Sequence, residues 1–309
     1  MAIKKNIHGL LLLDKSTGMT SNQALQKAKK IFHAHKAGHT GSLDPLATGM
    51  LPICFGEATK VCPYLLDADK TYQVTAKLGE TTDTGDSDGT IIKTMPIKKR
   101  DSKYWKKTFK QFIGVIDQIP PMYSALKKNG KRLYQLARKG ENIDRCSRKI
   151  TIYKINLLKH SLDRLVFHVH CSKGTYIRTL VEDIARVAGT GAHVTKLHRE
   201  SVGHFESKNM TDLENLKKIA KIDYESLKSF LLPPDTVFMN WPSVRLDSMR
   251  LNKFLCGQVV KIDEAIKGYV RVYRDDSFFG IGELQETYLL QPRRIFHLNT
   301  KRSTYNSNF

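Results

Sequence analysis

The first regular pattern along the chain is an apolar run, Leu10 to Leu13 after Gly9, bounded on both sides by polar residues. A short uninterrupted run of this kind predicts a buried strand. Thr20 or Ser21 then stands where a helix N-cap belongs, and Leu25, Ala28, Ile31 and Phe32 share one face at helical spacing. Tyr72, Val74, Ala76 and Leu78 alternate with Gln73, Thr75 and Lys77, the period of a half-buried strand. Asp88-Gly89 follows as a tight-turn signal. Ser102–Phe112 and Lys131–Lys139 read as helices, and Lys149–Leu158 and Arg164–Cys171 as strands. Tyr176–Ala188 reads as an amphipathic helix with Ile177, Leu180, Val181 and Ile184 inward, closed by Gly189 and Gly191.

The pattern changes near Met210. Two short helical patterns, Asp212–Ala220 and Tyr224–Phe230, lead to Leu232-Pro233-Pro234. Beyond Ser243 the chain is β-like: Val259-Val260, Tyr269–Tyr273, Phe278–Leu284 and Tyr288–Leu290 alternate with glycines. This divides the chain into a larger unit, 1–240, and a smaller β-rich unit, 241–309, whose last residues from Thr300 read as a frayed polar tail.

Composition adds one large fact. Among 309 residues, 51 Lys and Arg face 30 Asp and Glu, a formal net charge of +21. The excess is concentrated: eight basic side chains against Asp101 in 93–110, and nine against Glu141 and Asp144 in 127–149. Lys and Arg release counterions on meeting phosphates, so a polyanionic partner is expected. Tyr104, Trp105, Tyr123 and Tyr134 lie in or between these stretches and suit stacking on unpaired bases, or else point inward beneath a solvated basic face. The five cysteines are widely scattered with no CxxC pair, which argues against a zinc ribbon and against a disulfide framework. No apolar run approaches the ~20 residues of a membrane span, and no signal-peptide core follows Lys4-Lys5. A cytoplasmic protein without membrane attachment is the expectation.

Several chemistries fail on spacing. Ser172-Lys173-Gly174-Thr175 has phosphate-loop residue types in the wrong order, and Gly189-Thr190-Gly191 lacks a third glycine at Val194. The loop from Thr84 lacks both key carboxylates of a calcium site. Neither His33/His35 nor His168/His170 has the spacing of a helical metal pair. No metal and no cofactor is expected.

Residues 38–49 stand apart: Gly-His-Thr-Gly-Ser-Leu-Asp-Pro-Leu-Ala-Thr-Gly. On spacing alone, Asp44 before Pro45 reads as a helix start, with Asp as N-cap and Pro at the first helical position. The same residues, continued by Met50-Leu51-Pro52, resemble the catalytic signature of the TruB-type tRNA pseudouridine synthases. Further stretches agree in family order: Leu12-Leu13-Asp14-Lys15 through Ser21, Asp69-Lys70-Thr71-Tyr72, the acidic loop Gly79 to Gly89, Ile119 to Lys127, and Cys171 to Thr179. The segment Gly268 to Val272 with Gln291-Pro292-Arg293-Arg294 is more weakly similar to the family's PUA-like RNA-binding domain. Ser16 and Ser42 depart from the usual proline and alanine, near rather than at the chemistry.

The resemblance implies an α+β fold, with a mixed, mostly antiparallel sheet and flanking helices, then a small β-barrel-like PUA-type domain. It implies a cofactor-independent isomerase that flips the T-loop uridine of elongator tRNAs, conventionally position 55, out of the T arm and converts it to pseudouridine. Asp44 becomes the catalytic group, nucleophile or base. Arg178 becomes its counter-charge, held by Asp86, and Tyr72 the aromatic on the target base. His39 would take the vacated stacking position, Tyr176 and Leu197 would line the pocket, and Lys15 and Lys60 would lie near pocket or RNA backbone. A monomer without an obligate protein partner is expected. Three rivals stay open on the sequence: a non-catalytic RNA-binding or RNA-folding protein, a guide-dependent relative acting on ribosomal RNA, and a hydrolase using Asp44.

Overall fold

The computed structural model describes residues 4–263, 266–285 and 288–298. Seven strands follow one another across the main sheet in the order Gly9–Lys15, Thr48–Phe55, Ala192–Val202, Lys70–Leu78, Arg164–Cys171, Arg148–His160 and Gly114–Gln118. Ala37–His39 and Phe205–Glu206 attach to the second and third of these, making nine strands in all. Neighbours are antiparallel except at one junction, where Thr48–Phe55 and Ala192–Val202 pair in parallel through His198 with Thr48 and Arg199 with Gly49. The sheet is therefore mixed and mostly antiparallel, as expected.

Alternation sorts its side chains into two cores. On one face Leu11, Leu13, Leu51, Ile53, Val74, Ala76, Phe167 and Val169 meet the helices Ser21–Ile31, Ser102–Lys110, Ile177–Val187 and Leu213–Ile222. Thr20 caps the first helix with a full capping box: its hydroxyl accepts from Gln23 N at 3.2 Å, and Gln23 Oε1 accepts from Thr20 N at 2.8 Å. On the other face Leu10, Leu12, Met50, Cys54 and Val202 meet Phe278, Ile281 and Phe296 from the end of the chain. Phe278 and Ile281 belong to, and Phe296 directly follows, a five-stranded sheet ordered Ser243–Arg245, Gly268–Arg274, Ser277–Leu284, Leu289–Ile295, Val260–Lys261, with the helix Ser248–Leu255 against it.

Some elements differ from the sequence expectation. The helix expected over Lys131–Lys139 shrinks to Leu133–Ala137, in which Leu133 and Leu136 are the buried residues. Tyr224–Phe230 forms a 3₁₀ turn over Glu225–Phe230. Trp105 is buried and Tyr104 packs partly beneath it and under Arg100, so these two aromatics of the first basic stretch serve the core. Two central strands, Thr48–Phe55 and Ala192–Val202, stand where the sequence pattern carries no strand signal. The tail from Thr300 lies outside the described residues.

Candidate active site

The parallel junction positions the site. Just before Thr48 the chain loops out through residues 40–47, and no helix begins at Asp44. Ala47 N donates to Asp44 O at 3.0 Å, closing a turn, and the strand starts at the next residue. The helix start suggested by Asp-Pro fails because the loop is pinned from outside. The buried Ser21 hydroxyl accepts from Leu43 N at 2.7 Å and donates to Leu43 O at 3.0 Å. Lys15 Nζ donates to Met19 O at 2.8 Å, Ser16 O at 3.0 Å and Pro45 O at 3.3 Å. Burial lowers the Lys15 amine to about 8, against the pull of Asp44.

Asp44 emerges from this loop facing Arg178, the second residue of the Ile177–Val187 helix. Arg178 Nε lies 3.0 Å from Asp44 Oδ2, and Nη2 donates to Asp44 Oδ1 at 3.3 Å. Nη1 donates to Thr84 O at 2.7 Å and lies 3.5 Å from Asp86 Oδ2, while Nη2 also donates to Tyr123 O at 2.7 Å. Every nitrogen of the guanidinium is thus engaged, which fixes the planar fork. Asp86 is held in turn by the Thr84 hydroxyl at 2.6 Å and Asp88 N at 3.1 Å. Its loop is stitched to the sheet where Ser87 N meets Val194 O and Val194 N meets Gly85 O. Asp44 keeps 38% of its side-chain surface open, against 7% for Arg178 and 5% for Asp86. It is the one carboxylate of the pair that a substrate can reach. Burial pushes the Asp44 carboxyl above the usual aspartate range, Arg178 opposes that, and the Asp86 charge adds to it.

Tyr72 sits on Lys70–Leu78, in register with Val169 on one side and Arg199 on the other, and is 8% exposed. Burial raises its phenol, while the charge of Arg199 opposes the rise. Leu197 pairs with Val74 two positions along the same face and is buried. His39 ends the short Ala37–His39 strand; it is half-buried and its Nδ1 has no hydrogen-bond partner among the described residues. Tyr176 precedes the Arg178 helix, its backbone locked by the Gln118 amide, which donates to Tyr176 O at 3.1 Å and accepts from Tyr176 N at 2.8 Å. The structure does not bring Lys60 here. Lys60 Nζ lies 2.5 Å from Glu57 Oε2 and donates to Ile295 O at 2.7 Å, tying the main sheet to the C-terminal one. Among the described residues, no group of three or more His, Cys, Asp or Glu is placed to hold a metal ion.

Sequence reasoning missed Arg199. It is 1% exposed, and its guanidinium donates from Nε to Met50 O at 2.6 Å and from Nη2 to Gly41 O at 2.7 Å. Its two-residue spacing from Leu197 marks a shared face once that strand is known, but the strand itself was hidden.

Solved structures share the fold. A chain of the "Structure of H/ACA RNP bound to a substrate RNA containing 2'-deoxyuridine" superposes at a TM-score of 0.72 with 23% identity, over 94% of this chain and 85% of that one. A chain of the "Crystal Structure of a Cbf5-Nop10-Gar1 Complex" gives 0.72 with 24% identity over the same shares. Three family models place the molecule among the pseudouridine synthases: "TruB family pseudouridylate synthase (N terminal domain)" over residues 29–177, "tRNA pseudouridylate synthase B C-terminal domain" over 178–239, and "Pseudouridine synthase II TruB, C-terminal" over 242–296. The chain belongs to the TruB family. The tRNA pseudouridine synthase B of Nitrosococcus oceani is 48% identical over 94% of this chain and 95% of its own length. That of Coxiella burnetii is 47% identical over 94% and 96%.

Proposed function

We propose that this chain, a tRNA pseudouridine synthase by family, acts on the T-loop uridine conventionally numbered 55. The observation that carries the reading is the Asp44 carboxylate: open to substrate, and held in a bidentate clamp by a buried arginine that shares a second carboxylate. The reaction cleaves the bond from N1 of uracil to C1' of ribose, turns the base and joins C5 to C1'. The C5 proton is lost and N1 is protonated, so the net change is an isomerisation. An ionised carboxylate beside C1' serves either as nucleophile on the sugar or as base toward its C2' proton, and Arg178 keeps it charged in a buried setting.

The remaining residues take supporting roles. Tyr72 stacks on the uracil and removes the C5 proton. Leu197 and Tyr176 wall the pocket. Lys15 braces the Asp44 loop from below. His39 fills the gap left when the base is flipped, a step that costs a few kcal/mol of unstacking. The exposed lysines of Ser102–Lys110 and of the Lys127–Arg132 hairpin border the groove for the T arm. Tyr123 O on Arg178 links the base of that hairpin segment to the site.

Tritium release from a T-arm stem-loop labelled at uridine C5 tests the reading, because that hydrogen is lost whenever C5 becomes the glycosidic carbon. The wild type is expected to release label, and Asp44→Asn to bind the RNA while releasing none. Tight binding without release by the wild type would point instead to an RNA-binding protein.

A further inference from the structure

Arg199 is a buried cation whose partners do not explain it. Its guanidinium bonds two backbone carbonyls, and no carboxylate lies within ion-pair reach of it among the described residues. A buried charge without a counter-ion is costly and persists where it has work. The surroundings are cut to its shape. A Cβ on Gly41 would lie 3.2 Å from Arg199 Nη1, and one on Gly49 would lie 2.3 Å from the Arg199 carbonyl. Its partner in register on the neighbouring strand is Tyr72, so the two side chains stand opposite each other on one face of the sheet. We propose that Arg199 is the positioning residue for Tyr72: its fixed guanidinium orients the phenol oxygen and supports it as tyrosinate, the form that takes the C5 proton.

The inference rests on the isomerase reading. In balance, the phenol first gives its proton to solvent. The C5–H bond then breaks, its electron pair forms the C5–C6 double bond, the C6–N1 π pair moves onto N1, which takes a proton from solvent, and the C5 proton ends on the Tyr72 oxygen. In a dry pocket the tyrosinate needs a cation, and Arg199 is the leading group that opposes the effect of burial on this phenol. Other ionisable groups bear on the pair. Asp44 from the loop and Cys171 from the neighbouring strand resist a charge on Tyr72, and Lys15, Lys70 and His39 crowd Arg199 with like or potential like charge.

The test is steady-state tritium release across pH 6–10 with Arg199→Gln and Arg199→Lys, each checked for a native melting transition, beside Tyr72→Phe. Arg199→Gln should keep KM for the stem-loop near wild type, lose kcat about a hundredfold, and reach its plateau rate at higher pH. Arg199→Lys, with charge but no fork, should recover part of both. Unchanged kcat and pH midpoint in a folded Arg199→Gln, or a loss confined to KM, would overturn the assignment. If Arg199→Gln does not fold, Arg199→Lys decides it, an unshifted midpoint being fatal. A silent wild type would sink the isomerase reading itself, whereas an active wild type with unshifted variants sinks only the role of Arg199.

Discussion

At Asp44 two opposing forces meet in one carboxyl. Burial and the neighbouring Asp86 raise its affinity for a proton, and Arg178 and Lys15 lower it. The protonated form is inert in either mechanism, so activity should fall as pH drops through a value above the ordinary aspartate range. Asp86→Asn removes the like charge and should move that acid limb to lower pH, read from the pH dependence of single-turnover release. A limb that stays in place, or moves up, would mean that Asp86 acts on Asp44 only through Arg178. Much of this cluster is legible in the sequence: the aspartate, its arginine and the second carboxylate each stand in a stretch that resembles a family motif. What the residues alone suggested for Asp44 was a helix cap. It was wrong because hydrogen bonds from Ser21 and Lys15, remote in sequence, decide the loop. Arg199 was invisible for a related reason, since an arginine in an unrecognised strand looks like any surface cation.

The element that matters most is the parallel pair of strands beneath the loop. Thr48–Phe55 carries Gly49 and Pro52, both poor strand formers, which hid it from a reading of periodicity. Ala192–Val202 is bulged at two places, between Val194 and Lys196 and between Arg199 and Ser201, so its alternation is broken. Gly49 is there for space: at φ 97° it lets the two backbones meet at Arg199. Gly49→Ala brings a Cβ 2.3 Å from the Arg199 carbonyl and should cost at least about 2 kcal/mol of stability. Thermal unfolding checks this, and a variant as stable as wild type would show that the junction flexes.

Taken whole, the molecule is two main sheets joined by an apolar seam. Phe296, 1% exposed, packs into it against residues of the main sheet, while Glu57 Oε2 accepts from His297 N at 2.9 Å and Lys60 holds Ile295 O. Phe296→Ala should cost about 3 kcal/mol and lower one shared unfolding transition rather than split it in two, as calorimetry would report. Two separated transitions would mean that the seam does not couple the sheets. The run of short strands beyond Ser243 could be read from its apolar residues and glycines. The seam could not, because alternate residues of one strand serve different cores and sequence does not say which partner each face meets.

That divided strand has a consequence for how the chain can change over generations. Thr48–Phe55 lends Leu51, Ile53 and Phe55 to the helical core and Met50 and Cys54 to the seam, with the Asp44 loop hung from its first residue. A substitution anywhere in the small C-terminal sheet that reshapes the seam is felt at Met50, whose carbonyl holds Arg199. Drift in the outlying module is therefore screened by the chemistry, and the two must be inherited as one piece.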